Sequence, residues 1–179
     1  MKRIIFSVCV VLVACLFLIS CNEEKQKNTA TVKQTPTKST KGTHMVERTF
    51  AMIKPDAVKA KNAGAIIEII ERNGFTIVGM EKAQIIADKA KQFYAVHKER
   101  PFFGELVEFV VSGPVIIMAL ERENAILEWR KLMGATDPNK ADVGTLRKMF
   151  GTSIGSNAVH GSDAPETAKT ELELFFPSL

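Results

Sequence analysis

Cysteine is missing from most of this 179-residue sequence, because Cys9, Cys15 and Cys21 all precede residue 22. Residues 46–179 can therefore form neither a disulfide bond nor a thiolate metal site. Tryptophan and tyrosine occur once each, but hydrophobic residues make up 46% of the chain, which is enough for a core. Residues 46–179 must consequently fold by packing alone.

The same region also lacks an excess of one charge sign. The net charge of +4 comes from residues 1–45, which hold seven Lys and Arg against two Glu. Residues 46–179 hold 17 Lys and Arg against 18 Asp and Glu. A domain that binds nucleic acid usually carries a basic face. The charge balance therefore predicts no nucleic-acid partner.

Several standard sites are absent from the sequence. There is no G-x-x-x-x-G-K-[ST] phosphate loop, no G-x-G-x-x-G turn and no H-E-x-x-H zinc helix. These motifs cradle phosphates, bind dinucleotides or hold a catalytic zinc ion. Any phosphate chemistry must use a different kind of site.

The N-terminus has the pattern of a secretory signal. Lys2 and Arg3 precede an apolar run over residues 4–19, which is short for a membrane span of about 20 apolar residues. The run ends in Leu18-Ile-Ser-Cys21, which resembles a bacterial lipoprotein cleavage box. Residues 1–21 are therefore predicted to be a signal segment in which Cys21 becomes a lipidated membrane tether. The alternative is an uncleaved membrane anchor.

A linker follows over residues 22–45. It is rich in Lys, Thr, Gln and Asn and has no aromatic residue, which predicts a disordered tether. Gly42-Thr-His-Met45 is either part of a natural linker or a fusion junction, in which case Met45 was the original first residue. We expect a cell-envelope lipoprotein if Met1 is the native start, and a cytoplasmic protein if Met45 is.

The order of strands and helices that the hydrophobic pattern of residues 46–179 indicates predicts an α+β domain and not a run of βαβ units. Apolar periodicity at 3.6 residues indicates helices, and short continuous apolar runs between turn residues indicate strands. The predicted strands cover residues 48–53, 75–80 and 115–120, and the predicted helices cover 63–70, 87–97, 102–111, 124–133 and 163–175.

Among three histidines, His160 has the surroundings that best suit chemistry. It lies in Asn157-Ala-Val-His-Gly-Ser-Asp163, in a predicted loop just before a helix N-terminus. A neutral imidazole is a competent nucleophile near pH 7, and a helix N-terminus helps to hold phosphate. His160 is a candidate nucleophile, with a structural role in the loop as the alternative.

Phosphate transfer also needs cations, because negative charge is spread over the transferred group. Lys54, Arg130 and Arg147 lie beside predicted breakers or loops and are candidates, although each could instead be solvated surface charge. Phe102 follows Pro101 and could stack on a base or belong to the core.

Six segments together carry a family resemblance. They are Arg48-Thr-Phe-Ala-Met-Ile-Lys-Pro-Asp-Ala57, Arg100-Pro-Phe-Phe103, Ser112-Gly-Pro114, Gly134-Ala-Thr-Asp-Pro138, Gly144-Thr-Leu-Arg147 and Asn157-Ala-Val-His-Gly-Ser-Asp163. In this order and spacing they resemble the nucleoside diphosphate kinase family, from about Glu47 to Phe176. The resemblance implies a ferredoxin-like βαββαβ domain with a four-stranded antiparallel sheet covered by helices.

The resemblance also implies a ping-pong reaction with broad base specificity. His160 would take the γ-phosphate of a nucleoside triphosphate and pass it to a nucleoside diphosphate, with Tyr94 close to the transferred group and Glu171 and Ser162 orienting the ring. Nucleotide contacts would come from Lys54 and Asn157 at the sugar and phosphate, Arg130, Arg147 and Thr136 at the phosphates, and Phe102 at the base.

Cofactor and assembly are likewise implied by the resemblance. Mg²⁺ would bridge the nucleotide phosphates with few direct protein ligands. The chain would form a homo-oligomer, with a tetramer favoured. Two other functions remain open at this stage: a tethered binding or scaffold protein that has lost turnover, and a histidine phosphocarrier. A carrier would need neither a base-stacking Phe102 nor a sugar-binding Lys54.

Overall fold

A computed structural model of the protein describes residues 46–179. The predicted signal segment over residues 1–21, its Cys21 tether and the predicted linker over residues 22–45 lie outside the described residues. Within residues 46–179, no helix combines the length and the apolar character needed to cross a membrane.

The described part of the chain contains four strands and seven α-helices, with one short 3-10 turn at Ala95–His97. In chain order they are β1 (Val46–Ile53), α1 (Pro55–Lys59), α2 (Ala63–Arg72), β2 (Thr76–Ala83), α3 (Ala87–Phe93), α4 (Phe103–Val111), β3 (Val115–Glu123), α5 (Ala125–Met133), α6 (Leu146–Phe150), β4 (Val159–Gly161) and α7 (Pro165–Phe175).

The four strands form one antiparallel sheet in the order β2-β3-β1-β4. This is the strand order of a ferredoxin-like fold, which confirms the predicted fold class. The β2-to-β3 connection is longer than a simple hairpin, because α3, the 3-10 turn and α4 are inserted there. The central strands β1 and β3 pair over eight residues, from Val46↔Glu123 to Ile53↔Ile116.

The side chains of β1 alternate between the two faces of the sheet and so contribute to two separate cores. Phe50 and Met52 pack with residues of α3, α4 and α7 on one face. Ala51 and Ile53 pack with residues of α2 and α5 on the other. All four are fully buried. Successive residues of a strand point to opposite faces. Helices cover both faces here, so the second half of β1, from Phe50 to Ile53, is a continuous apolar run.

The structure corrects several sequence predictions in detail. His160 was predicted to lie in a loop, but it lies in β4, a three-residue strand that the pattern did not reveal. The predicted helix over residues 87–97 is interrupted at Tyr94, where α3 ends and the 3-10 turn begins. The short helices α1 and α6 were not predicted, because five residues are too few to show a helical period.

Candidate active site

The register of β4 determines the face of the sheet on which His160 lies. His160 pairs with Met52 of the neighbouring antiparallel strand β1, and directly opposed residues share a face. Its imidazole therefore packs among the aromatic rings of that face, 4.8 Å from the Phe93 ring centroid and 6.0 Å from that of Phe50. The side chain keeps 23% of its surface exposed. The histidine is held by the core and still opens to solvent.

One ring nitrogen of His160 is engaged by a carboxylate. Nε2 lies 2.9 Å from Glu171 Oε1, and the second Glu171 oxygen accepts a 2.6 Å hydrogen bond from the Ser162 hydroxyl. Because a carboxylate accepts, the neutral ring donates its Nε2–H to Glu171 and keeps the lone pair on Nδ1. The arrangement leaves Nδ1 as a nucleophile and fixes the plane of the ring.

The backbone around His160 is also held from the opposite face of the sheet. The Trp129 indole N–H donates a 3.2 Å hydrogen bond to the His160 carbonyl. The next residue is Gly161, and a Cβ added there would overlap the indole ring. Gly161 is thus required because the indole of α5 approaches the strand closely, and β4 cannot slide along β1 without breaking this contact.

Lys54 is buried beside the site, with only 6% of its surface exposed. Its ammonium donates a 2.7 Å hydrogen bond to Asn157 Oδ1. Burial, and to a smaller extent the charge of Arg147, lowers the pKa of Lys54 to about 8, while the Asp56 carboxylate opposes this change. A lysine is rarely buried without a purpose or partner, so the reading as solvated surface charge is wrong for Lys54.

The Asn157 side chain joins three segments. Its amide group donates to the carbonyls of Thr136 and Ile154, at 3.1 and 2.9 Å, while its oxygen accepts from Lys54. Thr136 itself is exposed at the edge of the site. The loop over residues 134–144 is therefore fastened to the strand end that carries His160.

Arg147 reaches the site from α6. Its guanidinium donates to the carbonyls of Gly134 and Val159, at 2.9 and 3.2 Å, and its buried Nε has no hydrogen-bond partner among the described residues. Burial, followed by repulsion from Arg130, lowers the pKa of Arg147 to about 10. Both carbonyl contacts hold the guanidinium plane beside β4, one residue away from His160.

Three positive charges thus lie close enough to disfavour one another. Arg147 lowers the pKa of Lys54, and Arg130, which is exposed, lowers that of Arg147. Like charges gathered at one place raise the free energy of the empty site, and a polyanion relieves that repulsion when it binds. The cluster therefore favours a phosphate chain as ligand.

An aromatic path runs from His160 to the rim of the site. The distance between ring centroids is 6.5 Å from Tyr94 to His160 and 6.5 Å from His97 to Tyr94. It is 5.9 Å from Phe102 to His97. Burial, with a smaller effect of Glu171, raises the pKa of Tyr94, so its phenol stays protonated and can donate. Phe102 is 44% exposed, so it is not a core residue.

The structure brings most of the candidate residues together at one end of the sheet. Direct hydrogen bonds link His160, Glu171 and Ser162 in one group and Lys54, Asn157 and the Thr136 carbonyl in another. Phe102 lies at the rim, where its ring packs near that of His97. Among the interactions described above for residues 46–179, Arg130 acts on the site through the effect of its charge on Arg147.

Residues that the sequence analysis did not single out also shape the site. Phe93 packs edge-on against the imidazole, Trp129 binds its backbone, and Asp56 accepts a 3.0 Å hydrogen bond from the Ala158 N–H. Asp56 could have been noticed, because it follows Lys54-Pro55 in the first segment of the family resemblance. The roles of Phe93 and Trp129 depend on contacts that no local pattern reveals.

A second candidate nucleophile is excluded by its setting. Gly151-Thr-Ser-Ile-Gly155 has the G-x-S-x-G spacing of the nucleophile elbow of α/β-hydrolases. An elbow needs a strand before the serine and a helix after it, whereas here α6 precedes the segment and β4 follows it. Ser153 is exposed and its hydroxyl accepts from the Ser156 N–H. The spacing is coincidental.

Transfer of phosphate is the reaction that this cleft suits. A histidine with a fixed ring and an available nitrogen lies beside clustered cations, and phosphoryl transfer depends mainly on such positioning and charge. The fold and the site together define a phosphotransferase.

Comparison with known proteins identifies the family. The family model of nucleoside diphosphate kinase matches residues 47–179. Nucleoside diphosphate kinase of Pelobacter propionicus is 58% identical over 134 residues, which cover 75% of this chain and 98% of that protein. The enzyme of a Bradyrhizobium species is 56% identical over 131 residues, covering 73% and 94%.

Solved structures agree with the sequence relatives. The crystal structure of Aquifex aeolicus nucleoside diphosphate kinase superposes with a TM-score of 0.72 at 43% identity, covering 74% of this chain and 96% of that one. The Encephalitozoon cuniculi enzyme gives 0.71 at 38% identity, covering 73% and 88%. The chain belongs to the nucleoside diphosphate kinase family. It transfers phosphate between nucleoside triphosphates and nucleoside diphosphates.

Proposed function

We propose that the transfer proceeds by a ping-pong mechanism through a phosphohistidine at His160, with broad base specificity. The observation that carries this proposal is the contact between His160 Nε2 and Glu171 Oε1, at 2.9 Å, which leaves Nδ1 free beside a cluster of cations. A covalent intermediate divides one difficult transfer into two easier ones.

In the first half-reaction, the Nδ1 lone pair attacks the γ-phosphorus of a nucleoside triphosphate. The new bond joins nitrogen to phosphorus, and the bond from phosphorus to the bridging β-oxygen breaks, so that the nucleoside diphosphate leaves with that electron pair. The ring gains positive charge, which Glu171 stabilises through its hydrogen bond to Nε2–H. Ser162 holds the second Glu171 oxygen and so keeps the carboxylate in place. The second half-reaction is the reverse with a different diphosphate.

The cations stabilise the charge on the transferring group. Arg147 is aimed by its two backbone carbonyls, and Arg130 adds charge from the exposed side of α5. Thr136 supplies a hydroxyl to the diphosphate at the loop edge. Tyr94, which keeps its proton, donates to the transferring group. Each contact strengthens as negative charge develops on the phosphate oxygens.

The remaining contacts position the nucleoside. Lys54 and Asn157, already bonded to each other, bind the sugar hydroxyl and the adjacent phosphate. Phe102 offers its exposed face to the base. Stacking tolerates any base because every base has a π-face, and this supports broad base use.

Magnesium fits the cleft as an ion that arrives with the nucleotide. Both Glu171 oxygens are engaged by His160 and Ser162, and the charged side chains proposed to hold the phosphates, Lys54, Arg130 and Arg147, are cations. Among residues 46–179, no cluster of three or more His, Cys, Asp and Glu side chains could hold a metal ion. Mg²⁺ prefers oxygen ligands, retains several waters and is commonly held by substrate phosphates. It would neutralise charge on the phosphates, and the protein would contact it mainly through them.

A label-transfer experiment tests the ping-pong proposal. Incubation of the enzyme with γ-labelled ATP, without an acceptor, should give a labelled protein that loses its label in acid and keeps it in base. Addition of GDP to the isolated phosphoprotein should then move the label to GTP. Turnover without any isolable phosphoprotein, together with kinetics that require both nucleotides to bind at once, would contradict the proposal.

We also propose a homo-oligomer, with a tetramer favoured. The edge strand β2 supports this, because within residues 46–179 it pairs only with β3 and its Met80 is 54% exposed. An uncovered edge strand is a common place for another chain to pair. The native mass in solution should be four times that of one chain, and a monomeric mass at working concentration would contradict the assembly.

The compartment depends on the natural start of the chain. We propose an envelope enzyme tethered through Cys21 if synthesis begins at Met1, and a cytoplasmic enzyme if it begins at Met45. The mass of the N-terminal peptide from the native cells distinguishes the two: a lipidated Cys21 supports the first and an N-terminus at Met45 supports the second.

A further inference from the structure

Asp56 is a partly buried carboxylate that the mechanism above does not use. It lies in the first turn of α1, two residues after Lys54. Its Oδ2 accepts a 3.0 Å hydrogen bond from the Ala158 N–H, across 102 residues of sequence. Its Oδ1 is buried, and no hydrogen-bond donor among residues 46–179 reaches it. Burying a carboxylate oxygen in this way is costly, so a compensating role is expected.

The partner of Asp56 has an unusual backbone conformation. Ala158 has a φ of +66°, in the left-handed region that residues other than glycine rarely adopt. The Val159 N–H donates back to the Asn157 carbonyl at 2.8 Å, which closes a tight three-residue turn around Ala158. Such turns are strained and persist where the surroundings enforce them.

Two contacts enforce this turn from outside. The Ala158 N–H is held by the Asp56 carboxylate, and the Ala158 carbonyl accepts a 2.9 Å hydrogen bond from the Lys54 N–H. Both contacts come from residues 54–56, which lead from the end of β1 into the first turn of α1. The Ala158 side chain is fully buried, so the turn cannot relax by moving outward.

The turn connects the two groups of site residues. On its N-terminal side Asn157 binds the Lys54 ammonium, and on its C-terminal side β4 begins and carries His160. The conformation of Ala158 therefore determines the distance between the Lys54–Asn157 pair and the imidazole. A change of one dihedral angle here would alter how the nucleotide meets its nucleophile.

We propose that Asp56 is a positioning residue for phosphate transfer: by holding the strained Ala158 turn, it sets the spacing between the Lys54–Asn157 pair and His160 without touching the nucleotide. This inference rests on the proposed function of His160. The negative charge of Asp56 also favours the charged form of Lys54, and so counteracts the effect of Arg147 on the pKa of Lys54.

Two substitutions separate the hydrogen bond from the charge. Asp56→Asn keeps an oxygen that can accept from Ala158 and removes the charge, whereas Asp56→Ala removes both. At pH 7, Asp56→Ala should lower kcat roughly tenfold with KM within about twofold, the scale expected for losing one charge-assisted hydrogen bond that aligns the reaction. Asp56→Asn should stay within about threefold of the wild type on the same scale. Circular dichroism reports the folded fraction, to which each rate is normalised.

Substitution of Ala158 by glycine should restore the kcat lost in Asp56→Ala. If Asp56 only stabilised the folded protein, this restoration would not be expected. Glycine adopts positive φ without steric cost, so the turn needs less support. In the Asp56→Ala background, Ala158→Gly should restore kcat to within about threefold of the wild type. In the wild-type background the same change should give no gain. The gain in kcat that Ala158→Gly gives only in the Asp56→Ala background measures the coupling between positions 56 and 158.

The pH profile provides the second specific readout. A lysine with a pKa of about 8 is charged below that pH, so kcat/KM should fall as pH rises through it. Removing the Asp56 charge should lower the pKa of Lys54 further, and the alkaline limb should move to lower pH in both Asp56 variants. Unchanged kcat and an unmoved limb in folded Asp56→Ala would overturn the inference, as would a lost kcat that Ala158→Gly does not restore. Failure of the wild type to form a phosphohistidine would instead overturn the proposed function.

Discussion

Replacing His160 with alanine should abolish acid-labile labelling by γ-labelled ATP and lower turnover by on the order of 10⁴-fold or more, the scale seen when a covalent nucleophile is removed. The reason lies in the geometry of the site: Glu171 and Ser162 orient one imidazole and offer no substitute nucleophile of comparable reactivity. The label is measured on the denatured protein at alkaline pH, where phosphohistidine survives.

A matched control is available in the second histidine of the described chain. His97 lies at the rim, near Tyr94 and Phe102 but not against His160. His97→Ala should therefore retain the acid-labile label. Persistent labelling of His160→Ala with the wild-type yield would show that the phosphate resides elsewhere, and loss of label in both variants would point to a failure of nucleotide binding.

Arg147→Ala should slow transfer about 10- to 150-fold in kcat/KM, since a hydrogen bond to a charged group contributes about 1.5–3 kcal/mol and about 1.4 kcal/mol corresponds to tenfold in rate. The guanidinium is fixed by the carbonyls of Gly134 and Val159, so its position next to His160 does not depend on the nucleotide. A preorganised cation of this kind stabilises the transition state more than the ground state. The loss should therefore appear mainly in kcat.

Two further variants make the Arg147 result specific. Arg147→Lys keeps a positive charge but loses the planar guanidinium group that the two carbonyls orient. Its kcat/KM should therefore lie between those of Arg147→Ala and the wild type. Arg72→Ala removes an arginine whose side chain is 76% exposed and pairs with Glu68 on α2, and it should change kcat/KM by less than about twofold. A change of less than about twofold in Arg147→Ala would argue against its role in holding phosphate.

Long apolar runs made much of the fold predictable. The predicted strands over residues 48–53, 75–80 and 115–120 lie almost wholly within β1, β2 and β3, because each contains consecutive apolar residues. These residues are mostly buried in β1 and β3, and Ile77 and Val78 of β2 are half-buried. The fourth strand, β4, was not predictable by pattern. It has three residues, one of them glycine, and it exists because β1 offers it a partner. Such pairing is a tertiary effect, and a local pattern does not contain it.

The candidate site likewise contains some features that the sequence predicted and others that it did not. The segments of the family resemblance identified the residue types that meet in the cleft, including Lys54, Asn157 and His160. They did not indicate that Lys54 is buried, since a lysine beside a proline more often lies at the surface. They also did not reveal the positive φ of Ala158, because alanine carries no preference for that conformation and only its surroundings impose it.

The placement of His160 on a strand has a kinetic consequence. Trp129 binds the backbone carbonyl of His160 in β4, and Glu171 holds its ring. The imidazole therefore cannot swing from a donor pocket to an acceptor pocket. In the proposed ping-pong mechanism, donor and acceptor therefore occupy the same pocket in turn. Each should then compete with the other by binding the form of the enzyme with which it cannot react. An excess of acceptor should consequently inhibit exchange by occupying the enzyme before it has received its phosphate.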